Sequence, residues 1–121
     1  MGASYPAGAQ AALLYGDPSK DAPFGLRLKM LRGYVVPPHT HPIDENITVI
    51  SDHQRIGMGD KLDRAKTQPL AAGSFYHCTP GMAHYAIADV KTVVQLNSRG
   101  PAGITYVNPT DDPRNKKWSS P

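Results

Sequence analysis

The sequence contains very little cysteine and no long apolar run. Its single cysteine, Cys78, cannot form a disulfide within the chain, and one thiol excludes a zinc site built from several thiolates. No stretch approaches the roughly 18 consecutive apolar residues that a membrane-spanning helix requires, so we expect no membrane partner. The N-terminus also lacks the basic and apolar regions of a signal peptide. The expected compartment is the cytoplasm, or the periplasm or exterior if a leader has been removed.

Neither positive nor negative charge is in large excess. The chain has 13 Lys and Arg residues against 10 Asp and Glu residues, a formal net charge of +3. The basic residues are scattered, and their one cluster, Arg114 with Lys116 and Lys117, directly follows Asp111 and Asp112. A mixed cluster of this kind attracts phosphates only weakly. The distribution of charge therefore argues against nucleic-acid binding.

Turn-forming residues, in contrast, are abundant. The 121 residues are enough for one domain and include 11 glycines and 12 prolines with no repeat period. Such an excess predicts many short strands joined by tight turns. We divide the chain into an N-terminal arm over residues 1–23, one domain over residues 24–113 and a C-terminal tail over residues 114–121.

Short runs of β-branched and aromatic residues predict an all-β domain. In the first run, Leu26, Leu28 and Met30 alternate with Arg27 and Lys29, which is the pattern of a strand with one face in water. The predicted strands are residues 24–30, 33–36, 46–51, 55–58, 74–77, 84–88, 92–96 and 103–107, with a break expected at Pro37-Pro38. Helical periodicity is weak and limited to residues 10–15 and 60–66. The series predicts a β-sandwich or barrel.

Histidines carry the strongest functional signal. His39 and His41 are two residues apart in an extended region, so both side chains can face the same point, and Glu45 has the same parity. His84 follows a Pro-Gly turn that begins a later strand. Three imidazole nitrogens and one carboxylate oxygen suit a divalent first-row metal with positions left for water or substrate. The candidate metals are Fe, Mn, Zn, Ni, Co and Cu.

The same residues resemble the two motifs of the cupin family. Residues 33–45 carry the pattern Gly-x5-His-x-His-x3-Glu, and residues 73–84 carry the pattern Gly-x6-Pro-Gly-x2-His. The resemblance covers about residues 24 to 113 and is closest to small single-domain bacterial cupins. It implies a double-stranded β-helix, a jelly-roll barrel with little helix that is usually dimeric. It also implies a metal inside the barrel, held by the positions matching His39, His41, Glu45 and His84.

Two residues depart from the motifs. Asp52 stands where the first motif normally ends in glycine, so the turn over residues 51–54 is expected to be built differently. Ala88 stands where the second motif often has asparagine, which removes one polar group from the barrel wall. Neither departure touches a predicted ligand, so both bear on the substrate rather than on the metal.

Other polar residues have weaker signals. Four could reach the barrel interior and contact a substrate, with core packing as the alternative for each: Tyr76, Tyr85, Gln95 and Tyr106. His53 and His77 are more consistent with surface or packing roles. Cys78 is interpreted as a small buried apolar residue, because adjacent strand residues face opposite sides and His77 therefore cannot easily activate its thiol.

These observations favour a metal-dependent enzyme that acts on a small molecule with a chelatable carbonyl or hydroxy-carbonyl group. Iron would favour dioxygenase chemistry, whereas Mn, Zn, Ni or Co would favour lyase or isomerase chemistry. The alternative is a non-catalytic, metal-loaded module that binds or senses a small ligand, because a fold does not determine chemistry. A third hypothesis is a barrel without metal. The apolar residues 11–15 and the exposed sheet edges predict a homodimer.

Overall fold

The computed structural model describes residues 5–115, which form ten strands. These strands are β1 (Ala9–Tyr15), β2 (Pro23–Met30), β3 (Val35–Thr40), β4 (Glu45–Ser51), β5 (His53–Met58), β6 (Gln68–Ala71), β7 (Phe75–Cys78), β8 (His84–Ile87), β9 (Thr92–Arg99) and β10 (Thr105–Tyr106). The helical segments are three single turns of 3-10 helix: Arg64–Lys66, Pro109–Asp111 and Pro113–Asn115. The predicted all-β fold with little helix is confirmed. In the part of the chain described, no helix is long and apolar enough to cross a membrane.

The strands form two five-stranded antiparallel sheets. The first has the order β1-β2-β9-β4-β7 and the second the order β10-β3-β8-β5-β6, so the chain crosses repeatedly between the sheets. Apolar residues of both sheets share one core, which includes Met30, Val36, Ile47, Val49, Ile56, Ala86 and Val94. Strands that alternate between two layers around one core give the double-stranded β-helix expected from the motifs.

The N-terminal segment contributes a strand where a weak helix was predicted. Residues 10–15 lie in β1, which pairs antiparallel with β2 from Ala9 opposite Met30 to Tyr15 opposite Gly25. A helix this short is marginal alone, whereas the free edge of β2 offers backbone hydrogen bonds, so the strand prevails. Leu13 remains 57% exposed. Of the second helical candidate, residues 60–66, only the 3-10 turn at Arg64–Lys66 forms.

Strand β3 continues through Pro37-Pro38, where a break was predicted. Its pairing with β8 has a register irregularity between Val36 and His39. Proline has no N–H to donate, and the irregularity removes the need for a regular ladder at these two residues. Pairing resumes with His39 opposite His84, so the irregular strand places two predicted ligands side by side.

Asp52 forms the turn between β4 and β5. Its φ of +59° lies in the left-handed region, which glycine adopts freely and aspartate tolerates better than most residues. The turn over residues 51–54 therefore has at Asp52 a backbone conformation that a glycine would also adopt.

Candidate metal centre

Four predicted ligands meet between the two sheets. His39 lies near the end of β3, His41 directly follows it, Glu45 begins β4 and His84 begins β8. All four side chains are buried, and one ligand atom from each lies within 4.8 Å of the others. Because β3 and β8 belong to one sheet and β4 to the other, the cluster depends on the packing of both layers.

Each imidazole in the cluster is held by a backbone carbonyl. The Nδ1 atoms of the three histidines lie within hydrogen-bond distance of these oxygens: Pro37 for His39 at 2.6 Å, Gly103 for His41 at 2.6 Å and Met82 for His84 at 3.0 Å. A carbonyl oxygen can only accept, so each Nδ1 donates its hydrogen. This arrangement leaves the three Nε2 atoms as ligands and fixes the ring orientations, as in protein metal sites.

Glu45 completes the cluster with a buried carboxylate. Its Oε1 atom lies 3.1 Å from Nε2 of His41 and 3.1 Å from Nε2 of His84. A carboxylate this deeply buried needs a cation or hydrogen-bond donors to offset its lost hydration. One oxygen shared by two imidazoles therefore marks a point where positive charge is stabilised.

The histidines differ in their protonation. Burial, and then the nearby His84 and His41, lowers the pKa of His39 to about 3. Burial also lowers the pKa of His41, partly offset by Glu45. Burial would lower the pKa of His84 as well, but hydrogen bonds with Cys78 and Glu45 raise it to about 10. Two imidazoles are therefore neutral and able to ligate, while His84 holds a proton that a metal would displace.

These donors fit a divalent transition metal. Neutral imidazole nitrogen suits Fe, Ni, Cu and Zn, and the carboxylate oxygen extends the range to Mn and Co. The ligand atoms face one another, the imidazoles have fixed tautomers, and the carboxylate supplies negative charge where a cation would sit. The buried group could therefore hold one metal ion, and the donor set alone does not choose among these metals.

Two of the four predicted substrate residues lie beside the cluster. Tyr76 borders a small chamber of about 50 Å³ that also contacts His39 and His84, and its hydroxyl donates to Oε1 of Gln54 at 2.7 Å. Burial, and then the charge of Glu45, raises the pKa of Tyr76 well above its usual value. The ring of buried Tyr106 lies 6.2 Å from that of His39. We call the chamber of about 50 Å³ that Tyr76 borders the inner chamber.

The other two predicted substrate residues do not border the inner chamber, because neighbouring residues of a strand point in opposite directions. Tyr85 follows His84 and therefore faces away from it, and its hydroxyl donates to the backbone oxygen of Asp63 at 2.9 Å. Gln95 lies between two residues that face the interior and accepts a hydrogen bond from Nε of Arg27 at 3.0 Å. Neither residue is among the wall residues of the cavities beside the cluster.

A larger space adjoins the inner chamber. This outer chamber has a volume of about 380 Å³, and two of the four clustered residues, His41 and Glu45, form part of its wall. The remaining wall is mostly apolar: Pro18, Phe24, Leu26, Leu28, Ile43, Ile47, Val94, Leu96, Ala102 and Ile104. The enclosed volume is at the lower end of the range for small-molecule sites.

Three residues with polar side chains in the walls of these chambers were not predicted from the sequence. Tyr5 borders both chambers, Gln54 borders the inner one and Arg114 the outer one. The inward position of Gln54 could have been predicted, because Gln54 lies two residues before the apolar Ile56 on β5 and therefore faces the same side. No sequence pattern placed Tyr5 or Arg114 near the site, since Tyr5 lies in the predicted arm and Arg114 in the predicted tail. Residues 116–121 of that tail are outside the described part of the chain.

The remaining histidines and the cysteine lie where simple packing and surface roles suffice. Nε2 of His77 lies 2.9 Å from Oδ1 of Asp44 on the exposed side of β7. His53 lies 3.6 Å from a carboxylate oxygen of Asp89. Cys78 is buried directly opposite Glu45 in the β4–β7 pair, facing away from His77. None of the three belongs to the four-residue cluster, although Cys78 shares a hydrogen bond with His84.

Comparison with protein families gives one match. Residues 3–116 match the model of a family described as a domain of unknown function, DUF4437. A search of the curated proteins finds no match.

Solved structures with similar folds support the β-helix architecture. A conserved protein with a double-stranded β-helix domain from Klebsiella pneumoniae is 19% identical, with a TM-score of 0.63 over 82% of this chain and 84% of that one. The polyketide cyclase RemF from Streptomyces resistomycificus is 15% identical, with a TM-score of 0.74 over 88% and 76%. Salicylate 1,2-dioxygenase from Pseudoaminobacter salicylatoxidans, with gentisate, is 12% identical, with a TM-score of 0.67 over 83% and only 29%.

Proposed function

The chain belongs to the DUF4437 family and is a small cupin, and from this premise we propose that it is a metal-dependent enzyme acting on a small molecule with a chelatable carbonyl or hydroxy-carbonyl group. His39, His41, Glu45 and His84 are the proposed metal ligands. The observation that carries the proposal is the burial of these four side chains with their ligand atoms within 4.8 Å of one another. Burying three imidazoles and a carboxylate together is costly unless a cation compensates.

A divalent ion at this site would supply Lewis-acid polarisation of a carbonyl group or, if it is iron, redox chemistry. The chain's own residues prepare the surroundings. Backbone carbonyls orient the three imidazoles, and the walls of the outer chamber are mostly apolar. Burial, and then the charge of Glu45, raises the pKa of both Tyr5 and Tyr76, so their phenols stay protonated at neutral pH and act as hydrogen-bond donors rather than bases.

The reaction type is proposed as either dioxygenase or lyase/isomerase chemistry. Both find support in proteins that share the fold, since one structural neighbour is a dioxygenase studied with gentisate and another is a polyketide cyclase. The alternative is a non-catalytic module that holds the metal and a small ligand. It shares every feature of the site and differs only in turnover.

Reconstitution tests this function. Metal-free protein is loaded separately with Fe(II), Mn, Zn, Ni, Co and Cu and incubated with gentisate and with pentane-2,4-dione, while oxygen uptake and substrate loss are followed. We expect turnover with at least one metal, and its loss in His84→Ala but not in His77→Ala, which removes an exposed histidine outside the cluster. Binding of either compound without turnover in any metal form favours the binding module. Neither binding nor turnover would contradict both functions.

We also propose that the protein forms a homodimer through β1. This strand lies at the edge of the first sheet and leaves Leu13, Leu14 and Tyr15 about half exposed. Open edges that carry apolar side chains favour pairing with another chain. Light scattering should give twice the chain mass, and Leu13→Glu with Leu14→Lys should reduce it to one chain mass. A monomeric wild-type protein would contradict the dimer.

A further inference from the structure

The inner and outer chambers adjoin each other and differ in size. They share six wall residues: Tyr5, Leu28, His41, Glu45, Ile47 and Val94. The inner part, of about 50 Å³, has room for only a few atoms, whereas the outer part, of about 380 Å³, can hold the body of a small molecule. A ligand that fills both parts must therefore be narrow at the end that reaches the cluster.

The outer chamber offers an apolar surface. Leu26, Leu96 and Ile47 are directly paired across β2, β9 and β4 and form a continuous row on the wall. Polar groups of a ligand would lose their hydration against such a row without gaining partners. A ligand with many hydroxyl groups is therefore disfavoured in this chamber.

The outer chamber also offers little free charge. Of its charged residues, Arg114 is already engaged: its guanidinium donates to both carboxylate oxygens of Asp112, at 2.9 and 3.0 Å, and to the backbone oxygen of Ile104 at 2.8 Å. Glu45 and His41 contact each other in the cluster. A charged group in the body of a ligand finds no unpaired counter-charge among the described residues of this wall, so an uncharged body fits best.

The inner chamber contains an underused hydrogen-bond donor. Gln54 is buried, and its Oε1 is occupied by the hydroxyl of Tyr76 at 2.7 Å. Its Nε2 carries two hydrogens, but the partner within the described residues is the sulfur of Met30 at 3.9 Å, a weak acceptor. A buried amide with a poorly used donor gains from an oxygen acceptor placed in the chamber.

We infer that this site takes a small molecule with an uncharged, mainly apolar body and a single carbonyl or hydroxy-carbonyl head. The apolar body occupies the outer chamber, and the head enters the inner chamber, where its oxygen accepts a hydrogen bond from Nε2 of Gln54. Sugars and sugar acids are rejected. The inference rests on the proposed function, because the inner chamber is bounded by the proposed metal ligands His39, His41, Glu45 and His84.

Three probes test this ligand class in wild-type protein: 2-acetylnaphthalene, which has an apolar body and one carbonyl; 2-ethylnaphthalene, which lacks the oxygen; and galacturonate, a sugar acid. Calorimetry and probe fluorescence measure binding to the metal-free protein and to the zinc-loaded protein. We expect 2-acetylnaphthalene to bind about tenfold more tightly than 2-ethylnaphthalene, the ratio that corresponds to one modest hydrogen bond. Galacturonate should neither bind nor compete. Equal or tighter binding of galacturonate, or no binding of either naphthalene, would overturn the inference.

Variants then assign the contacts. Gln54→Met keeps the size of the side chain without its amide, so the tenfold preference should vanish while 2-ethylnaphthalene binding stays unchanged. Leu96→Asn should weaken both naphthalenes about tenfold, and Leu31→Asn, at a 54% exposed position outside the cavity, should change neither. Retention of the tenfold preference in folded Gln54→Met would overturn the role of Gln54. If that variant does not fold, the wild-type comparison of the three probes still decides the ligand class.

The metal and ligand claims can fail separately. Metal content is measured on the same samples, without any probe. The expected preference among probes in a protein that takes up no metal would contradict only the proposed metal function. Stoichiometric metal with preferred binding of galacturonate would contradict only the ligand class.

Discussion

A buried cluster and a surface cluster each bring histidine and carboxylate together, and they differ in what balances their charge. In the buried cluster, the carboxylate of Glu45 is shared by His41 and His84. In the surface cluster, the carboxylate of Asp89 contacts the guanidinium groups of Arg55 and Arg64. Permanent cations already satisfy the surface carboxylate, whereas the buried one relies on a proton that a metal can replace. Ligand type alone therefore does not make a metal site.

The largest expected effect is on the stability of the metal-free buried cluster. Glu45→Ala removes the partner of a buried imidazolium at His84, and breaking a buried pair in this way costs about 3–5 kcal/mol. Urea unfolding should show the loss as a lower midpoint with an unchanged slope. Asp89→Asn is the surface counterpart and should give a clearly smaller change. Equal losses of stability in both variants would contradict the difference between the buried and the surface cluster.

The second-largest expected effect is the rise in Tm on adding zinc, which should depend on the buried cluster and not on the surface cluster. Zinc at about 100 times its dissociation constant stabilises a native site by about 2.7 kcal/mol, which raises the Tm of a domain this size by several degrees. We expect that rise in wild-type protein and in Asp89→Asn, and none in His39→Ala. Differential scanning calorimetry measures it. A rise that survives in His39→Ala would place the bound zinc somewhere other than the buried cluster.

The smallest effect is a pH dependence that belongs to the surface cluster. Hydrogen bonds from Arg55 and then Arg64 lower the pKa of Asp89 to about 2, below its usual value of 3.8. Because the folded pKa is depressed, this group stabilises the native state above pH 3.8, and the contribution is lost as the pH falls toward 2. Denaturant unfolding across this range should be less pH-dependent in Asp89→Asn. If the free energy of unfolding depends on pH equally in both proteins, the role of the two arginines is contradicted.

The sequence predicted the residues of the candidate site better than their surroundings. The four clustered residues could be identified because their motif spacings are local, and short spacings survive irregularities such as the one at Pro37-Pro38 in β3. Tyr5 and Arg114 reach the outer chamber only through the long-range packing of the chain ends, which no local pattern encodes.

The differences between the predicted and the observed positions of these residues have physical causes too. Strand β1 exists because β2 offers it an edge, so its own sequence, with weak helical periodicity, was misleading. Gln95 was assigned to the wall although Val94 and Leu96 on either side are the apolar residues of that strand, and alternation alone would have placed it outside. By the same rule Tyr85 faces away from the cluster, since it is adjacent to His84.

The most direct test of the metal centre is the metal content of the protein purified without added ions or chelators, measured by mass spectrometry. Wild-type protein is compared with His41→Ala, which removes a clustered imidazole, and with His77→Ala, which removes an exposed one. We predict about one equivalent of a transition metal in wild-type protein and in His77→Ala, and almost none in His41→Ala. No metal in wild-type protein even after reloading, or equal metal in all three proteins, would contradict it.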